Sequence, residues 1–161
     1  MEAFAGRQDV RTVWSNEVAR LDHEGTHAVL TALVLEDNVQ PARKIRGVKV
    51  ELSSGDARDQ IYLDATATER TRAALEEIAQ AVGRRGSPGR NGCMGAKEFW
   101  PLYDWPWNKY HELNADFCGD AQGSGLVLHG RGKTGAFRFP GETPTRLAEM
   151  LAAAVEQLKQ H

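Results

Sequence analysis

Cysteine is nearly absent: the 161 residues contain two, Cys93 and Cys118. Their separation of 25 positions excludes a disulfide-dense scaffold and the paired C-x-x-C spacing of a zinc ribbon, so both read as reduced thiols. Long apolar runs are missing too, and none approaches the roughly 18 residues that a membrane-spanning helix needs. Residues Met1 to Asp9 lack the basic-then-apolar layout of a secretory signal, which makes a cytoplasmic location the expectation. Neither sign of charge dominates. With 20 basic and 22 acidic side chains the net charge is −2, giving no overall drive towards nucleic acid or anionic lipid. The expected partner is a protein or a small molecule, without nucleic acid or membrane. There is no G-x-S-x-G nucleophile elbow and no local Cys–His arrangement.

What is present suits one globular domain over residues 1–161, because 41% of the residues are hydrophobic and a chain of this length can bury its own core. The clearest local grammar lies between Lys44 and Val82. Ile45, Val48, Val50 and Leu52 read as a strand, Ser53 to Asp56 as a turn, and Gln60 to Leu63 as the return strand. Thr66 with Glu69 matches a capping box, and Thr71, Leu75, Ile78, Ala79 and Val82 recur at helical spacing until Gly83.

The end of the chain repeats that order. Gly125 to His129 and Ala136 to Phe139 read as strands around a glycine-rich turn, and Thr143 caps a helix with Pro144 at its first position. Leu147, Met150, Leu151, Ala154, Val155 and Leu158 form its apolar stripe. The fold class is therefore α+β: an antiparallel sheet, made of a meander and a C-terminal hairpin, covered in two layers by helices over about 67–82 and 144–159. Segments 44–82 and 125–159 are open to reading as a duplicated hairpin–helix unit, joined by a glycine-rich and aromatic stretch over 83–124. Within it, Arg84 to Arg90 reads as a solvated loop.

Residues 23–27 read His23-Glu24-Gly25-Thr26-His27. On a helix this H-E-x-x-H spacing sets two imidazoles on one Zn²⁺ and a glutamate beside the metal-bound water. Here the chain resembles the zincin metallopeptidases, and Tyr110-His111-Glu112-Leu113-Asn114-Ala115-Asp116 is similar to the E-x-x-A-D segment of the gluzincin type. That resemblance implies a zinc-dependent hydrolase with His23, His27 and Glu112 as ligands and Glu24 as the catalytic base. The same residues support a second reading. Asp22 to Gly25 has the chemistry of a hairpin turn between strands at Val13 to Leu21 and Thr26 to Leu35, which separates the histidines and removes any need for a cofactor. The sequence leaves helix and hairpin both open, with the hairpin joining the Lys44 meander more simply.

Half of the twelve aromatic residues, Phe99, Trp100, Tyr103, Trp105, Trp107 and Tyr110, fall within 99–110. With Asp104 as a polar contact, Trp100, Tyr103, Trp105, Trp107 and Tyr110 suit a platform for a partner, and the alternative is a plug over the core. Gly132-Lys133-Thr134 ends like a P-loop, but Val127 stands where that motif needs its first glycine. His111 and His129 stay unassigned. The leading functional expectation is a non-enzymatic recognition domain with 99–110 as its contact surface, and the zinc hydrolase is its alternative.

Overall fold

The computed structural model describes residues 10–37, 39, 44–85, 93–98, 113–120, 123–130 and 136–161. In chain order they form β1 (Val10–His23), β2 (Thr26–Asp37), β3 (Lys44–Ser54), β4 (Ala57–Asp64), α1 (Ala65–Arg85), β5 (Cys93–Glu98), β6 (Leu113–Asp120), β7 (Gly123–Gly130), β8 (Ala136–Pro140) and α2 (Thr143–Leu158). The class is α+β. The strands make two antiparallel four-stranded sheets, ordered β1-β2-β3-β4 and β5-β6-β7-β8. A meander plus a single hairpin understates this, because β5 and β6 arise from the stretch read above as a connection. Segment 113–116, the zincin-like echo, is strand. Among the described residues no helix is long and apolar enough to cross a membrane.

Two tight turns fix the first sheet. Glu24 and Gly25 sit at φ 48° and 82°, the two left-handed central positions of a type I′ hairpin, whose twist matches that of the flanking strands. The reversal thus centres on Glu24-Gly25, one residue beyond the four-residue turn expected from Asp22. Gly55 at φ 59° opens the β3–β4 turn in the same economical way. Helix α1 begins without a loop after β4. The Asp64 carboxylate accepts the Ala67 N–H at 2.6 Å, so the cap is Asp64 rather than Thr66. Gly83 lies inside α1 instead of ending it. In α2 the cap position is Glu142 rather than Thr143, with no side-chain cap bond, and Pro144 occupies the first turn as expected.

The apolar alternation of the strands and the stripes of both helices close the main core, and Leu33 and Leu35 form a small separate cluster with Ile45 and Tyr62. Ala28, Leu30, Ala32 and Val34 of β2 join Val48, Val50, Ile61 and Leu63 in one continuous cluster with Phe117, Leu126, Leu128, Phe137 and Phe139 of the second sheet. Leu75 and Ile78 of α1 and Leu147, Leu151, Ala154 and Leu158 of α2 belong to it as well. Each of the fully buried leucines contributes about 1.5–3 kcal/mol of transfer free energy. The end of α2 is tied to the first sheet: Trp14 stacks on His161 with ring centroids 3.8 Å apart, and Arg46 donates to the His161 carbonyl oxygen at 2.7 Å.

The two four-strand-plus-helix units share a detail beyond element order. A Cβ built on Gly47 in β3 would lie 2.6 Å from the Leu63 carbonyl oxygen, and one on Gly125 in β7 would lie 2.2 Å from that of Phe139. Gly47 pairs with Asp64 and Gly125 with Pro140, the last residues of β4 and β8. Each fourth strand therefore leans over a glycine of the third just before its helix departs. Cys93 and Cys118 face each other across β5 and β6 and form a disulfide, which corrects the reading of both as reduced thiols. In the chain-entropy account a loop of this size stabilises by about 3–4 kcal/mol.

Gly47→Ala and Gly125→Ala should each cost about 2 kcal/mol or more, because rigid backbone blocks the new methyl group. Gly83→Ala, with nothing within 4 Å, should instead gain about 0.5–1 kcal/mol of helix propensity. Urea denaturation of the three variants measures both signs. The buried Thr71 hydroxyl has no hydrogen-bond partner among the described residues, so Thr71→Val should raise stability by about 1 kcal/mol in the same assay.

Candidate functional site on the outer face of the first sheet

The type I′ turn sets the register, and the register sorts the side chains. His23 pairs with Thr26, while Asp22 pairs with His27. Because strand side chains alternate, His23 lies on the core side of the sheet with Thr26 and Ala28, and His27 lies on the opposite, outer side. The Thr26 hydroxyl bonds that of Ser54 at 3.1 Å, and His23 Nε2 lies 3.7 Å from the Glu24 carboxylate, an exposed pair at the tip. The hairpin thus separates the two imidazoles that a helix would bring onto one ion. Among the described residues no group of three His, Cys, Asp or Glu side chains could hold a metal. Glu112, Trp100, Tyr103, Asp104, Trp105, Trp107, Tyr110 and His111 lie outside the described residues. His129 falls in β7, opposite Asn114 and Ala136.

On the outer face the same register brings other residues together. Asp22, His27, Ser53 and Arg58 form one row across β1 to β4, and Arg20, Val29, Glu51 and Gln60 form the next. Arg20, Val29, Glu51, Ser53, Arg58 and Gln60 line a groove of about 460 Å³, edged by Asp59. The site carries charge of both signs, an imidazole, a hydroxyl and an amide. Sequence reasoning found none of it apart from His27. The signal was present: period-two alternation through both hairpins, combined with turns at Glu24-Gly25 and Gly55-Asp56, determines which polar residues line up.

His27 Nδ1 lies 2.5 Å from Asp22 Oδ1, and Arg20 Nε donates to the same oxygen at 3.2 Å. An ionised carboxylate only accepts, so the ring hydrogen sits on Nδ1 and Nε2 is the atom left for an external group. The hydrogen bond from His27, aided by the Arg20 charge, holds the Asp22 carboxyl below its ordinary range against the opposing effect of desolvation. Arg58 is steadied by the carbonyl oxygens of Gly55 and Ala57 at 2.6 and 3.0 Å. Lys49 pairs with Glu51 at 3.0 Å.

An Asp–His pair with a serine across the next strand has the order of a hydrolytic triad, but the geometry stops short of one. Among the described residues no hydrogen bond joins His27 to Ser53. Among the described residues, the backbone N–H groups of the central strands β2 and β3, on which His27 and Ser53 lie, are committed to ladders on both sides and so are not turned towards an oxyanion. What the arrangement can do is offer fixed donors and acceptors to a polar group lying across the strands. No protein-family model matches this chain, and no curated protein matches it in sequence.

A carbon-detected NMR titration should place the Asp22 carboxyl midpoint below the ordinary 3.8, and His27→Ala should return it towards that value. The sign for stability follows from the depressed folded-state pKa. Asp22 stabilises the fold above the unfolded-state value of about 3.9, and this contribution is lost as pH falls through the lower folded-state value. Asp22→Asn should therefore flatten the acid limb of the stability profile.

Proposed function

We propose that this protein acts by non-covalent recognition of a protein or small-molecule partner rather than by bond cleavage. The observation that carries the reading is the outer-face groove, in which Arg20, Glu51, Arg58 and Gln60 present several hydrogen-bonding groups on a rigid sheet. The chain's nucleophile and base candidates there lack the contacts that covalent chemistry needs. A polar ligand with both donor and acceptor groups fits such a lining better than a polyanion, since Glu51 and Asp59 share the groove with the two guanidinium groups. Nucleic acid is therefore outside this reading. The aromatic segment 99–110 enters it on sequence grounds, as a second contact surface whose rings offer area at little ordering cost.

Titrating ¹⁵N-labelled protein with a panel of small zwitterionic compounds and short polar peptides tests the groove. Shift changes are expected to cluster at Arg20, Val29, Glu51, Ser53 and Gln60, and Arg58→Glu should weaken the binding about tenfold or more. Binding elsewhere, or cleavage of a peptide in the panel, would overturn the reading. Stoichiometric zinc in protein purified without chelator, lost on His27→Ala, would equally overturn it. For the aromatic surface, replacing Trp105 and Trp107 together by alanine should abolish partner binding with the far-UV spectrum unchanged. Loss of folding in that variant would identify the segment as a core plug.

A further inference from the structure

The second sheet holds its first strand differently from the first sheet. In the first sheet, β1 is joined to β2 by a two-residue turn and paired with it from Val10↔Asp37 to His23↔Thr26. In the second, fourteen residues, 99–112, separate β5 from β6, and among the described residues the ladder comprises Cys93↔Cys118, Met94↔Phe117, Lys97↔Ala115 and Glu98↔Asn114, with a register break in the middle. Among the described residues β5 is also an edge strand, with a ladder on one side alone. The Cys93–Cys118 bond sits at the start of this short ladder. It stands where the first sheet has Ser15 opposite Leu33, without a covalent link.

We infer that Cys93–Cys118 is a redox modification site: a dithiol reduces it in the folded protein, and reduction releases β5 from the second sheet. Cys93 is exposed, which gives an attacking thiolate access to its sulfur. Cys118 is half-buried on the outer face, and its backbone is tied to the fourth strand of the sheet. Arg138 of β8 reaches across β7 and donates to the Cys118 carbonyl oxygen at 3.1 Å. Gly125 of β7 has no side chain to block the path, and a Cβ built there would lie 3.6 Å from that guanidinium. The exposed Cys93 sulfur is therefore the one attacked, and the less accessible Cys118 is the leaving thiolate.

The exchange runs in two steps. One thiolate of the dithiol attacks Cys93 Sγ, the S–S bond breaks, and its electron pair leaves on Cys118 Sγ, which takes up a proton. The second thiolate of the reductant then attacks its partner sulfur in the mixed disulfide and expels Cys93 as a thiolate, which is protonated in turn. The reductant ends as a cyclic disulfide, and the protein has gained two electrons and two protons. Sheet one and strands β6 to β8 hold their places through the shared core, so the consequence stays local to β5. The inference does not depend on the recognition reading.

Hydrogen exchange read by mass spectrometry tests it on the full chain in three forms: oxidised, treated with dithiothreitol under native conditions, and carrying C93S with C118S. The oxidised form should show no thiol reactive to maleimide even after unfolding, and the native treated form should show two. In the treated and double-serine forms, exchange at residues 93–98 and at the β6 amides that face β5 should accelerate about tenfold or more while β2, β3, β7 and β8 keep their protection. Three results would overturn the inference: free thiols in the oxidised form, resistance of the bond until global unfolding, or loss of protection throughout either reduced or serine form.

Discussion

The reversal at Glu24-Gly25 is the constraint from which the chemistry of this molecule descends. Two successive left-handed residues make the shortest connection between antiparallel strands, and such a connection admits no slack in register. Everything on β1 and β2 is then assigned to a face by parity. His23 goes one way and His27 the other, and Asp22 arrives opposite His27 rather than opposite its neighbour. A turn longer by one residue would exchange the two faces of a strand whose inward residues include Leu30 and Val34, both buried in the core. The core therefore locks the turn as firmly as the turn locks the site.

A second constraint acts where strands give way to helices. In each unit the fourth strand approaches a glycine of the third so closely that no side chain could be admitted, and the helix starts within a few residues of that contact. Asp64 serves both elements, ending β4 and capping α1. Corresponding glycines, corresponding inward pairs such as Val48 with Leu63 and Leu126 with Phe139, and the same element order recur in both units. The shared element order extends beyond the hairpin and helix seen in the sequence, since two further strands precede each.

Much of this architecture was legible in the sequence, and the exceptions have physical causes. The β3–β4 and β7–β8 hairpins and both helices follow from alternation, turn chemistry and apolar stripes. The hairpin at 10–37 was legible only as one of two readings, because Thr26 to Leu35 is a short apolar run that suits either period. β5 was not visible, since Cys-Met-Gly-Ala-Lys-Glu contains no β-branched or aromatic residue. In β6 the inward pair Ala115 and Phe117 does alternate with Asn114, Asp116 and Cys118, but the E-x-x-A-D likeness draws attention to helical spacing instead. The disulfide depends on that unseen pairing, because two cysteines 25 positions apart meet only once β5 lies beside β6. The candidate groove was hidden for a similar reason: its residues come from four strands, and only their relative register makes them neighbours.

The continuity of the core has a consequence for how the polypeptide can exist. Phenylalanines of the later strands and leucines of the earlier ones complete one another's packing, and α1 rests on α2. Each half, taken alone, would expose the apolar surface that the other covers. Such halves are natural complements: cut between them, the pieces would find order by docking, each acting as the missing wall of the other's interior.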